Sequence, residues 1–424
     1  MACLRLSLCV LAGLLVLDSS TAWAQANAVP AGAEDWPCWR GPTFNGVAGD
    51  RAVVLEWSET KNVIWKTPVP GRGHSSPIVV GSRVFLSTAD EQRNLQSVLC
   101  YDRGTGKELW RKDVHAGGAA DGRLHKKNTR ASSTLACDGK RVYAVFHHDG
   151  DIWATALDLT GNQVWQKKVG TFVSHWGYSA SPTIYHGSLI VATDHKGGGG
   201  LHALDLRTGE LRWETARPKA PTYASPVVLK VAGKDQLVIA GGDQVIGYDP
   251  ANGKQLWSVK GTSVECVSTV LAEGDRVFAT GGFPAKETLC IRADGSAEVV
   301  WRVKVGDFVP SQLLHRGHLY SVLDNGVILC LNADTGEQLW KERLSSTAFS
   351  ASPILVGEHL FIPGETGKTH VFRANPNKLE LVAENLLGKQ AFASPVACGG
   401  HLYLRVVEGN RQEMLYCIGR QLAE

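Results

Sequence analysis

Short apolar runs alternate with turn residues along nearly the whole chain, and one combination of the two recurs. Residues 331–340 read Leu-Asn-Ala-Asp-Thr-Gly-Glu-Gln-Leu-Trp. An apolar run ends in Asp or Asn, a Thr-Gly or Asn-Gly turn follows, and a second run delivers a Trp. The pattern returns at 101–110, 204–213 and 248–257, with weaker copies at 157–165 and 291–301. Gly supplies the positive φ of a tight hairpin, and Asp or Asn bonds its own backbone. Each copy predicts a β-hairpin with a large aromatic on the outgoing strand. Upstream lies a strand that opens at Ser-Pro or a variant of it. The openings are Ser76-Pro77, Ser133-Thr134, Ser181-Pro182, Ser225-Pro226, Ser268-Thr269, Ser311-Gln312, Ser352-Pro353 and Ser394-Pro395. Pro is tolerated at a strand's first residue because its missing N–H need not enter the ladder. A turn such as Asp138-Gly139-Lys140 and a second apolar strand, as at 84–86, complete a four-stranded unit.

The openings count eight units. The outgoing aromatics are Trp110, Trp165, Trp213, Trp257, Trp301 and Trp340, spaced by 55, 48, 44, 44 and 39 residues. Val382 is aligned to the seventh place. The last unit, 393–420, has three strands, whereas 62–70 (NVIWKTPVP) matches an outgoing strand that lacks its partners. Letting that strand, with Trp65, close the last unit gives an all-β, eight-bladed β-propeller of four-stranded blades over 62–420. Closure removes the exposed edge of an open array. Each Trp then docks one blade on the next. Burying ~150–250 Å² at ~25 cal/mol per Å² contributes on the order of 4–6 kcal/mol before entropy.

Upstream of the repeats, Arg5, the apolar stretch 6–17 and Ala22-Trp23-Ala24 read as a signal peptide over 1–24. The mature chain is expected to be exported, periplasmic or extracellular, and monomeric. No later run approaches the ~20 apolar residues of a membrane span. No Cys follows the apolar stretch where a lipid anchor would need one. Residues 25–61 carry Trp36, Trp39 and Trp57 and are expected to pack as an extension on the propeller. With 44 basic and 41 acidic side chains, the chain has no nucleic-acid footprint. Of the ten cysteines, Cys100, Cys290, Cys330 and Cys417 align with Ala156, Ala203, Gly247 and Val371, a position that takes a small apolar side chain.

The repeats of 62–420, with WPxWRGPxxxG at 36–46 and GRGHSSP at 71–77, resemble the quinoprotein-type (PQQ-like) propeller family. That resemblance implies one of two branches. In the PQQ-dependent alcohol and glucose dehydrogenases, the cofactor sits with Ca²⁺ on the propeller axis. In the non-catalytic branch, typified by the outer-membrane assembly factor BamB, the propeller is a scaffold. This chain has no adjacent Cys-Cys pair, as the alcohol dehydrogenases have, and no C-x-x-C-H for haem c. The expectation is a binding or scaffold module without a cofactor. A periplasmic oxidoreductase using PQQ with Ca²⁺ is the alternative.

The axial funnel is the place for a site. Residues two or three before each opening should face it: Gly73 and His74, Arg130 and Ala131, Tyr178 and Ser179, Thr222 and Tyr223, Glu265 and Cys266, then Phe308, Val309, Phe349, Ser350, Ala391 and Phe392. Arg72, His175 and Trp176 are close in sequence. A protein or a small anionic ligand is the expected partner, with Arg130 and Arg72 as charge partners and Trp176 or Tyr223 as stacking faces. Glu265 is the single carboxylate at these positions, too few oxygens for Ca²⁺. His147-His148, His115 and His125 are read as strand-end and loop residues, so no metal site is expected. The insertion 115–128, between the first two units, is the longest, and loops on a rigid scaffold are where sites usually sit.

Overall fold

The structure, a computed structural model, describes residues 34–49, 52–118, 124–173, 176–344 and 347–420. The leader expected over 1–24 lies outside them. Among the described residues, thirty-two strands form eight four-stranded antiparallel sheets. Seven sheets are consecutive meanders. The eighth joins Val396–Cys398, His401–Val407 and Glu413–Ile418 to Val63–Val69. Trp65 stands opposite Cys417 in that last pairing. The fold is therefore an eight-bladed β-propeller closed by its first strand. Middle strands such as Arg83–Asp90 and Leu95–Asp102 are buried along nearly their whole length. They read as continuous apolar runs because a neighbouring blade covers each face. Outermost strands such as Glu108–Ala116 alternate between partly buried and exposed positions.

A buried ion pair fastens the ring where it closes. Arg405 Nε lies 2.6 Å from Glu413 Oε2, and its NH1 donates to Ser75 Oγ at 3.1 Å and Ser87 O at 2.8 Å. Glu413 Oε1 accepts from Gly73 N at 3.0 Å. Blade eight is thereby tied to the entry of blade one.

The outgoing Trp explains much of the repeat. Within each blade it faces a small residue on the third strand: Cys100 for Trp110, Ala156 for Trp165, Ala203 for Trp213, Gly247 for Trp257, Cys290 for Trp301 and Cys330 for Trp340. A Cβ on Gly247 would come 2.3 Å from the Trp257 ring. The eight described cysteines are free and buried, consistent with small apolar fillers. Toward the next blade, the Nε1 of Trp65, Trp110, Trp165, Trp301 and Trp340 donates to the carbonyls of Arg103, Leu159, Leu206, Ala333 and Asn375 at 2.9–3.0 Å. The hairpin Gly of that next blade lies under the ring. A Cβ on Gly106 would sit 2.5 Å from Trp65, and one on Gly209 would sit 2.8 Å from Trp165. The Thr-Gly pair thus serves both the turn's positive φ and the seat of a neighbouring aromatic.

A register shift precedes the Trp in these outer pairings, with one extra residue on the outgoing strand. The extra residue turns outward. This places Leu109, Leu256 and Leu339 in solvent. Blade seven corrects the sequence alignment on this point. Val382 is the extra, exposed residue, and Ala383 faces Val371 in the Trp position. The missing ring comes from elsewhere. Trp57, buried, stacks on Phe361 with centroids 6.1 Å apart and planes at 18°. Phe361 faces Val371 as Phe85 faces Cys100, and Phe85 contacts Trp110. Asn385 holds Trp57 in place, accepting from its backbone N at 2.8 Å and donating to Leu55 O at 2.9 Å.

The segment 34–49 runs across one end of the channel. Trp36 bridges Val79 of blade one, and Pro37 O accepts from Cys137 N of blade two at 2.9 Å. Arg40 donates to Pro353 O of blade seven at 2.8 Å and Gln312 O of blade six at 2.7 Å.

Candidate functional site

The hydroxyls at the strand openings stitch neighbouring blades together. Ser76 N donates to Thr134 Oγ1 at 3.0 Å, Thr134 N to Ser181 Oγ at 3.0 Å, and Ser181 N to Ser225 Oγ at 2.9 Å. On the other side Thr269 N reaches Ser311 Oγ at 2.9 Å, Ser311 N reaches Ser352 Oγ at 2.9 Å, and Ser352 N reaches Ser394 Oγ at 2.8 Å. In blades two and five the stitching residue is Thr134 or Thr269, one later than the Ser chosen from sequence. Counted from this ring, the side chains two residues upstream are His74, Ser132, Ser179, Tyr223, Val267, Val309, Ser350 and Phe392. All eight line one axial cavity of about 380 Å³. Extended chain repeats its facing every second residue, so these positions share the axis with the Ser side chains themselves.

This register sorts the sequence candidates. His74, Tyr223, Glu265 and Trp176 line the cavity. Tyr178 is one residue out of step and faces a crevice between blade two and the entry to blade three, where its hydroxyl donates to Ala192 O at 2.9 Å. Arg130 lines that same crevice, because blade two starts one residue later than the alignment assumed. Arg72 is exposed and bridges Ala89 through its backbone. His175 lies outside the described residues. The two arginines nominated as charge partners for an anion are thus not on the cavity wall.

Beyond the axial positions chosen from sequence, the cavity is lined by Trp39 of the N-terminal extension and by His125, Lys127 and Asn128 of the long insertion. Trp39 reaches the ring from the segment 34–49, with Nε1 donating to Thr269 Oγ1 at 2.8 Å. Lys127, from the long insertion after blade one, crosses the mouth to the opposite blades. Its Nζ lies 2.7 Å from Glu365 Oε1 and 3.7 Å from Asp324 Oδ1. Asn128 Nδ2 donates to Trp176 O at 2.7 Å, and the His125 ring meets Trp176 edge-on at 5.2 Å. The length of the insertion signalled a loop of interest, but no local pattern says which blade it reaches.

Charge at the site is unevenly spread. His74 stacks on Phe392 at 4.4 Å and 13°, and its Nδ1 donates to Lys127 O at 3.2 Å. Burial, and then the positive charge of Arg72, lower its pKa to about 3, so it is neutral. Burial raises the Asp324 carboxyl, and burial with the adjacent Asp324 pushes buried Asp307 well above the carboxylate range. The cavity wall itself carries Lys127, already held by two carboxylates, and Glu265. A polyanionic quinone with its calcium ion fits such walls poorly. It needs unengaged cations and several oxygen donors, and among the described residues no group of three His, Cys, Asp or Glu is placed to hold a metal.

Comparisons with known proteins agree with this architecture. The europium-containing methanol dehydrogenase superposes with a TM-score of 0.70 at 10% identity, covering 92% of this chain and 99% of that one. BamB from Moraxella catarrhalis superposes with a TM-score of 0.61 at 13% identity, covering 85% and 99%. Both likenesses are of fold. In sequence, the outer membrane protein assembly factor BamB of Burkholderia pseudomallei is 26% identical over 350 residues, 73% of this chain and 87% of the relative. The family model described as outer membrane protein assembly factor BamB matches residues 18–172, 93–232, 224–307 and 292–382. With matches that tile nearly the whole ring, the chain belongs to the BamB family of PQQ-like propellers.

Proposed function

We propose that this chain is an exported propeller scaffold that holds a protein partner in the cell envelope. The observation that carries the reading is family membership across almost all blades. Relatives named as outer membrane protein assembly factors align over most of their own length. The leader-like residues 1–24 support export, and the periplasm is the compartment that fits such a role. The site chemistry supports it too. Lys127 is engaged by Glu365 and Asp324, and His74 is neutral and bonded, an arrangement that suits a binding cavity. The test is cross-linking and co-isolation from envelope fractions with the mature chain as bait. The expected result is a reproducible outer-membrane or periplasmic protein. Saturable PQQ and Ca²⁺ binding coupled to dye reduction by alcohols or sugars would overturn the scaffold reading in favour of the dehydrogenase branch.

A further inference from the structure

The axial cavity sets a carboxylate among aromatic faces. Glu265 pairs with Phe283 in an antiparallel bridge, Glu265 N donating to Phe283 O at 3.1 Å. Residues opposite one another in such a bridge put their side chains on one side. Phe283 and Phe308 follow each other around the wall, with centroids 6.1 Å apart and planes at 58°. On the other flank Tyr223 is tied to blade five, its N donating to Cys266 O at 2.7 Å. Glu265 therefore shares the cavity lining with Tyr223, Phe283 and Phe308 of blades four, five and six, and with Trp176 and Trp39. At the rim, Asp324 and Glu365 face the ammonium of Lys127.

These features suit one ligand chemistry. Aromatic faces attract a cation through their quadrupole, more strongly where water is excluded, and a nearby carboxylate adds its charge. About 380 Å³ accommodates a small molecule or one long side chain. We propose that the axial cavity binds an organic ammonium group, carried either by a free alkylated amine or by a lysine-type side chain of a protein. This goes beyond the scaffold role and does not depend on it, since the cavity can be titrated without any partner.

The test is calorimetric titration of the purified full chain with choline and with 3,3-dimethylbutan-1-ol, its uncharged isostere. Acetyl-lysine methylamide serves as the side-chain probe. Choline or the lysine probe is expected to bind saturably and to perturb tryptophan emission, because Trp39 and Trp176 line the cavity. The tighter of the two names the source. The uncharged alcohol is expected to bind at least tenfold more weakly. Glu265→Gln is expected to weaken the cation at least tenfold and Phe308→Leu to weaken it severalfold, each in a variant that still melts in one cooperative transition. Equal binding of the uncharged isostere, preference for benzoate, or wild-type affinity in Glu265→Gln would each overturn the assignment.

Discussion

His74 and His115 are neutral because the ring buries them. Burial comes first for both, with the charge of Arg72 beside His74 and His148 stacked 4.4 Å from His115, and their pKa values fall to about 3 and about 4. A histidine with a folded pKa below its ordinary value of about 6.5 is favourable to folding only while unprotonated. Its contribution is complete above pH ~6.5 and is lost as pH falls toward the folded value. Stability measured by denaturant titration should therefore decline from pH 6.5 to 4, and His115→Leu should flatten that limb. Asp307 has the opposite sign. Its raised pKa means that the folded state favours the protonated carboxyl, so it opposes folding increasingly as pH rises past the unfolded value. Asp307→Asn is expected to stabilise the protein by at least about 1 kcal/mol at pH 7.5. A loss of stability there would show that the carboxylate is satisfied as an anion.

The hairpin and its neighbour's Trp form the unit that makes a blade stick. Gly106 and Gly81 both have positive φ, but only Gly106 has a ring against it; a Cβ on Gly81 meets nothing within 4 Å. Gly81→Ala should cost about 1 kcal/mol, the backbone term alone, and Gly106→Ala distinctly more. Thermal melts of the two variants separate the turn from the seat. Blade seven offers the matching experiment. Trp57→Ala should cost ~3–5 kcal/mol because it removes a buried ring, and Trp110→Ala somewhat less because that ring, in the same kind of place, is only half-buried. Leu109→Ala, at an outward-turned bulge, should change stability by less than ~0.5 kcal/mol. Much of this was open to reading from the chain: the Thr-Gly turns, the small residue facing each Trp and the orphan strand around Trp65 are all local patterns. The Val382 alignment failed because a bulge adds one residue without leaving a sequence mark, and because a ring can be supplied by a segment hundreds of residues away.

Closure makes the molecule one cooperative body, and the Arg405–Glu413 pair sits at the seam. Arg405→Met leaves a buried carboxylate beside Gly73 and should cost ~3–5 kcal/mol, whereas the double variant Arg405→Met with Glu413→Leu should regain much of that. Chemical denaturation of the two is the measurement, and a double variant no better than the single would mean that the pair's hydrogen bonds, not its charge, hold the seam. Blade number, ring closure and the buried small-residue position follow from hairpin chemistry repeated at a near-regular period, because φ preferences, period-two facing and strand length act over a few residues. The wall of the axial cavity does not. Whether Ser133 or Thr134 enters the hydroxyl ring is set by contact with the next blade, and that single step moved Arg130 off the axis. Trp39, Lys127 and the carboxylates that hold it meet from opposite sides of the ring, and only packing of the closed propeller brings such distant stretches within hydrogen-bonding reach.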